Sequence, residues 1–231
     1  MKVVCIHQPD FAPYLGFFHR LLQADHFVIL DDVQFLRRGW HHRDQILTEG
    51  GPKWLTLRVN KGPMHRLINC VRIESGEWID EHLSLIELSY AKTPGFKQFF
   101  PIVEKLYRAE TNSLVEFNMG FIHTAFEILG ITVEESFSSS YNLSSQKSER
   151  LAELVNRVSG THYLTGSGSR DYLDEEYFEK DGIKVVWQNF FEDTFLKSKA
   201  SFEKNMSFID FIMKHGDKAK EVFMKLPRVE I

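Results

Sequence analysis

Two short apolar runs near the start of the chain, Val3–Ile6 and Phe27–Leu30, each stop abruptly in polar, charged and aromatic residues. The first runs into His7-Gln8-Pro9-Asp10-Phe11-Ala12-Pro13-Tyr14-Leu15-Gly16, the second into Asp31-Asp32-Val33-Gln34-Phe35. A helical stretch, Phe17 to Ala24, joins them. Two buried strands that end this way predict an α/β sheet, whose carboxyl strand ends are where ligands bind. Residues so costly to desolvate are seldom placed straight after strands for stability alone.

The rest of the chain fits the same class. Lys53–Val59 alternates as a strand entered through Gly50-Gly51-Pro52, and Leu67–Ile73 reads as another. From Glu77 to Leu129 the period becomes helical, with three helices, the last stopped by Gly130. Ser136–Ser140 reads as a polar seam. A helix is expected over Glu149–Val158, a strand at His162–Thr165, a helix to about Lys180, a strand over Ile183–Trp187 and a helical tail from Ser207 to Leu226. The reading is one α/β domain over 1–231, with a Rossmann-like, mostly parallel sheet flanked by helices and a mostly helical insertion at about 77–130.

Composition excludes several classes. The net charge of −4 gives no general attraction to nucleic acid or an anionic membrane. No apolar run approaches the roughly 20 residues of a membrane span, and no signal-peptide pattern precedes the first strand, so a cytoplasmic protein is expected. Cys5 and Cys70 both read as small buried hydrophobes, and the twenty phenylalanines as core.

Candidate functional residues gather after the strands. His7 could transfer a proton or donate to a phosphate oxygen. Gln8, Tyr14 and Gly16 belong to a turn that can aim backbone N–H groups at an anion. Of Asp31 and Asp32, one should cap the turn and the other face the site, since neighbouring strand residues point to opposite faces. A carboxylate with substrate phosphates also suits Mg²⁺, but no spaced ligand set is present, so no metal ligand is assigned and the cofactor stays open. Gln34, Arg38, Trp40 and Arg43 form a candidate anion clamp with a stacking plane, against the plainer reading of a solvated charge run. Lys147 and Ser148 open a helix where cations oppose the dipole, which a bound anion would reverse, while Ser144 or Ser145 could cap that helix. Gly166, Ser167, Gly168 and Arg170 follow a strand, and the small residues let backbone approach a ligand.

These blocks resemble the WbqC-like protein family of bacteria. They are His7-Gln8-Pro9 with Pro13–Phe18, Asp31–Phe35, Arg37-Arg38-Gly39-Trp40 with Arg43, Lys53–Thr56, Lys147–Leu151, Tyr163–Gly166 with Tyr172-Leu173, and Asn205-Met206-Ser207. The likeness keeps its order over nearly the whole chain. It implies a role in O-antigen or other surface-polysaccharide biosynthesis. The expected activity is acyl or aminoacyl transfer, glycine included, to a nucleotide-activated amino sugar, with His7 moving the proton and Asp31 or Asp32 orienting it. The expected partner is a nucleotide sugar or another phosphate-bearing small molecule, with the oligomeric state open. A second likeness, to the nucleotidylyl-transferase layout, rests on the strand, the His-containing loop and the later Ser144–Ser148. Here Phe17 follows Gly16 where that superfamily has its second histidine. An ATP-dependent nucleotidylyl transferase and a non-catalytic sugar-nucleotide binder therefore stand as alternatives.

Overall fold

The computed structural model describes residues 1–190 and 205–231. In chain order, Val3–His7 (β1), Leu15–Leu21 (α1) and His26–Ile29 (β2) lead to an antiparallel hairpin, Arg43–Thr48 (β3) with Gly51–Thr56 (β4). Three helices follow, Trp78–Tyr90 (α2), Phe96–Tyr107 (α3) and Leu114–Leu129 (α4), then Glu134–Phe137 (β5), Lys147–Arg157 (α5), His162–Gly166 (β6), Glu176–Lys180 (α6) and Lys184–Gln188 (β7). Phe208–His215 (α7) and Ala219–Met224 (α8) form the tail.

The fold is α/β. Five strands make one parallel sheet in the order β5-β2-β1-β6-β7. From β1 the chain builds outward through β2 and β5, then crosses back to build β6 and β7 on the other side. Strand order reverses between β1 and β6, the point in such sheets where a crevice opens at the carboxyl ends.

Alternation along the strands explains why Val3–Ile6 of β1 and Phe27–Ile29 of β2 are apolar throughout. Cys5, Phe27 and Ile29 face a large cluster formed with α1 to α4, α7 and α8. Val4, Ile6 and Val28 face a smaller one with Ala152 and Val155 of α5 and Phe178 of α6. With both faces covered, no position can be polar until the strand ends. The phenylalanines fill the larger cluster: Phe11, Phe17, Phe18, Phe27, Phe121 and Phe208 are each 1% exposed or less.

Three sequence expectations change. Leu67–Ile73 is not a strand: Ile68–Cys70 is a 3-10 turn, and its pairings are single bridges, Gln34 to Leu67, Val59 to Ile73 and Arg72 to Ser113. Ile68 and Val71 are buried in the large apolar cluster, a pattern that a periodicity argument cannot distinguish from a strand. Cys70 is exposed rather than buried. The polar seam divides: Ser136 and Phe137 end the edge strand β5, which pairs with β2 from Glu134 to Phe137, and Ser138–Tyr141 is a 3-10 turn. Gly130 does end α4 in the left-handed region at φ 73°.

The loop after β1 is fixed from three directions. Asn118, on α4 and wholly buried, donates from Nδ2 to the carbonyls of Pro9 and His41, each at 2.7 Å. The Phe11 N–H donates to the Trp40 carbonyl at 3.0 Å. Ser207 Oγ donates to the Ala12 carbonyl at 2.7 Å, and Ala12 is held in the left-handed region at φ 42°. Asn118→Ala strands two buried carbonyls and should cost about 2–4 kcal/mol, on the scale of about 1–3 per unsatisfied group. Urea unfolding should show a lower midpoint at unchanged slope.

The hairpin is clamped to the helical layer by His82. The Thr56 N–H donates to His82 Nε2 at 3.1 Å, and His82 Nδ1 lies 3.2 Å from Tyr107 Oη. Burial lowers the His82 pKa to about 4. Protonation would also turn the Nε2 acceptor into a donor facing a donor. Below its ordinary value of 6.5 the unfolded chain takes up a proton that the folded protein refuses, so stability should fall as pH drops from 6.5 toward 4. In His82→Gln, where the side chain cannot be protonated, that slope should be shallower; an identical slope would discount the clamp.

Candidate functional site

A cavity of about 560 Å³ opens beyond the carboxyl ends of β1 and β6, at the reversal of strand order. That size lies within the range of small-molecule sites, about 300–1,000 Å³. Strand β1 contributes Ile6 and His7, its loop Gln8, Asp10, Pro13 and Tyr14, and β6 Tyr163, Thr165 and Gly166. Arg20 of α1, Asp44 of β3 and Trp40 complete much of the wall.

His7 is the last residue of β1. Its Nδ1 lies 3.0 Å from the Gln8 carbonyl oxygen and 3.6 Å from Asp10 Oδ2. A carbonyl can only accept, so the hydrogen bond assigns the proton to Nδ1 and leaves Nε2 an open acceptor. Burial lowers the His7 pKa; Asp10 opposes that, while the nearby Arg20 charge reinforces it. The ring is neutral at physiological pH, the form that can accept a proton. Asp10 also reaches His41, its Oδ1 lying 3.2 Å from Nδ1, so one carboxylate bridges two imidazoles.

Asp44, 1% exposed, accepts from the Gln45 N–H. Burial pushes its carboxyl well above the usual carboxylate range; that hydrogen bond pulls it back in part, and Asp10 adds repulsion. The wall thus carries an acid that favours its neutral, hydrogen-donating form. Arg20, 4% exposed, donates from Nη1 to Gln188 Oε1 at 2.9 Å and to Tyr14 Oη at 3.3 Å. Gln188, at the end of β7, also donates to His19 Nδ1 and to the Gly16 carbonyl.

Of the residues singled out in the sequence, His7, Gln8, Tyr14, Trp40, Gly166 and Gly168 line this cavity. Gly16 lies just behind it, where a Cβ would stand 2.3 Å from the Tyr14 ring. Asp31 and Asp32 lie elsewhere, because β2 ends at Ile29 and both carboxylates converge on Ser138 Oγ. Asp31 also accepts from Ser139 and Asn69, and Asp32 pairs with Arg150 Nη2 at 2.5 Å. The neighbour that can orient His7 is Asp10.

Asp32 also accounts for one cation at the start of α5. Arg150 sits in the first turn, and the anion beside it comes from this chain. Lys147 is exposed, Ser148 Oγ accepts from the Asp174 N–H, and the N-cap position is taken by Gln146, without a side-chain capping bond, rather than by Ser144 or Ser145. Ser167 is in the turn after β6, and the Arg170 guanidinium lies 5.1 Å from the Trp187 ring centre. Gln34 is exposed and donates to the Met64 carbonyl.

The arginine cluster adjoins Trp40 but does not line the cavity. Arg43 lies over the Trp54 ring at 4.3 Å and donates to the Arg38 carbonyl, and Trp54 packs 5.3 Å from Trp40. Residues 33–73 hold eight Lys and Arg against two acidic residues, on a chain of net charge −4. Among the described residues no three His, Cys, Asp or Glu side chains group as a metal site, and no helix is long and apolar enough to cross a membrane.

Sequence reasoning missed Asp10, Arg20, Asp44, His41 and Tyr163. Arg20 left a signal: a guanidinium in an otherwise apolar run between two buried strands. Asp44 left none, because its burial comes from packing of a hairpin that is distant from β1 in the chain.

The electrostatics can be checked directly. The His7 ring protons should titrate below the ordinary value of 6.5 in an NMR pH series. Asp10→Asn removes the nearby negative charge and should move that titration lower still. An upward move would break the proposed coupling.

A model of the WbqC-like protein family matches residues 8–222. Over 226 residues the chain is 30% identical to uncharacterized protein Rv1507c of Mycobacterium tuberculosis (strain ATCC 25618 / H37Rv), covering 96% of this chain and 97% of that protein. No solved structure matches the chain.

Proposed function

The chain belongs to the WbqC-like protein family, and from that premise we propose that it is a transferase in which His7 is the general base. The proposed reaction is acyl or aminoacyl transfer to the amino group of a nucleotide-activated sugar, in surface-polysaccharide biosynthesis. The observation that carries this reading is the state of His7: a neutral ring on the cavity wall, with Nδ1–H spent on Gln8 and Nε2 open.

In this reading the acceptor amine, bound neutral, attacks the acyl carbonyl, and Nε2 takes the proton the nitrogen must lose. Asp10 stabilises the imidazolium that results. The neutral Asp44 carboxyl supplies a donor for the developing oxyanion. The carbon–leaving-group bond then breaks, and the proton returns from His7 to the departing group. Trp40 on the cavity wall, backed by Trp54, offers a plane for a nucleobase.

The nucleotidylyl-transferase alternative needs the Ser/Lys loop over the phosphates. Lys147 and Ser148 are not among the cavity residues, which favours the acyl-transfer reading.

A thermal-shift screen over nucleotide sugars, ATP and coenzyme A tests the substrate class. Ligand at 100 times its dissociation constant should add about 2.7 kcal/mol. With the best ligand pair in hand, His7→Ala should melt close to wild type and lose about 10²- to 10⁴-fold in turnover. In the wild type, kcat/KM should fall as pH drops through the His7 pKa, because protonation removes the base. Binding without turnover by the wild type would make the protein a carrier, and an active but unstable His7→Ala would make His7 a core residue.

A further inference from the structure

Burying a guanidinium is costly unless an anion accompanies it. Arg20 is 4% exposed, yet its acceptors, Gln188 Oε1 and Tyr14 Oη, belong to an amide and a phenol rather than a carboxylate. The Cys5 thiol, also near it, is held in its neutral form because burial raises its pKa. Among the described residues no carboxylate pairs with Arg20. Two carboxyls share its cavity, but Asp10 is committed to His7 and His41, and Asp44 favours its neutral form.

The surroundings keep the guanidinium accessible from the cavity. Gly166 ends β6 beside it, and a Cβ there would stand 2.9 Å from Nη1. Gln188 holds Nη1 from behind while itself bonded to His19 and Gly16, so the side chain is aimed rather than mobile. A charge built into a cavity wall without a counter-ion matches a ligand that brings one.

We propose that Arg20 is the anchor for an anionic group of the substrate, a phosphoryl or a carboxylate, which it seats in the cavity beside His7. This deepens the transferase reading by giving the substrate a charge and a place. It also implies that substrate binding changes the base. Arg20 holds the His7 pKa down, so an anion seated on it should raise that pKa, strengthening the base once substrate is in place.

The test needs no turnover. Wild type, Arg20→Met and Arg20→Lys are melted in potassium phosphate, in sodium acetate and in sodium chloride of matched ionic strength. His7 is followed by NMR in the same three salts. In the wild type, phosphate or acetate should raise both the melting temperature and the His7 titration above the chloride values, and whichever anion acts identifies the class. Arg20→Met should melt at or above the wild-type apo temperature, with affinity for that anion at least about tenfold weaker, the loss of one charged hydrogen bond. Its apo His7 should titrate higher than in the wild type. Arg20→Lys should keep part of the response.

No response of the wild type to either anion overturns the proposal. So does an Arg20→Met protein that melts lower and keeps its anion response. If Arg20→Met does not fold, the wild-type His7 titration decides alone. His7→Asn separates the two readings: it should keep the anion response whether or not the transferase assignment holds.

Discussion

One buried amide holds the cavity in shape. Asn118 projects from α4 and gives both N–H groups to carbonyls of different segments, Pro9 after β1 and His41 before β3. These carbonyls lie where water cannot satisfy them, so each must find a donor in the protein. A single side chain therefore sets the spacing between the His7–Asp10 loop and the segment carrying Trp40, His41 and Asp44. The distance from Asp10 to His41, and the approach of Asp44, follow from that spacing. The helical layer thus acts as a jig for residues that belong to the sheet and the hairpin.

The charges within the cavity are arranged by burial more than by pairing. His7 is kept neutral, Asp44 favours its acid form, and Arg20 remains charged because a guanidinium does not give up its proton. Burial shifts Asp44 away from the form it would favour in water and His7 further toward its neutral form, while Arg20 lacks the carboxylate partner it would have at a surface. The cluster consequently offers an acceptor, a donor and a cation at once near neutral pH. The Asp31, Asp32, Arg150 and Ser138 cluster is the opposite case: every carboxylate oxygen is matched by a donor of the chain, and it fastens β2 to the segment after β5.

The alternating α/β architecture was legible because parallel strands buried on both faces leave an unmistakable apolar run that stops at a polar residue. That logic placed His7 at a strand end and the site at the carboxyl edge. It failed for Leu67–Ile73, where a 3-10 turn rather than a strand buries Ile68 and Val71. It also favoured Asp31 and Asp32 over Asp10, since a carboxylate pair after a strand is conspicuous and a single aspartate between Pro9 and Phe11 is not. The roles of Arg20 and Asp44 depend on segments far apart in the chain meeting at one wall, and no local pattern encodes that. The cations at the start of α5 suggested a bound anion, but for Arg150 the negative charge comes from Asp32 of the same chain.

The uneven distribution of charge bears on how quickly a ligand arrives. Eight cationic residues lie between Val33 and Ile73, in the segment that brings Trp40 and Asp44 to the cavity wall, while the remainder of the chain is acidic overall. Such a dipole repels anions from most of the surface and draws them toward one face, raising productive encounters above those of a uniformly charged body. The attraction reaches about 10 Å at 0.1 M ionic strength and shortens as salt is added. Capture would therefore be the salt-sensitive step, whereas release from a buried guanidinium, shielded from mobile ions, would depend on salt far less.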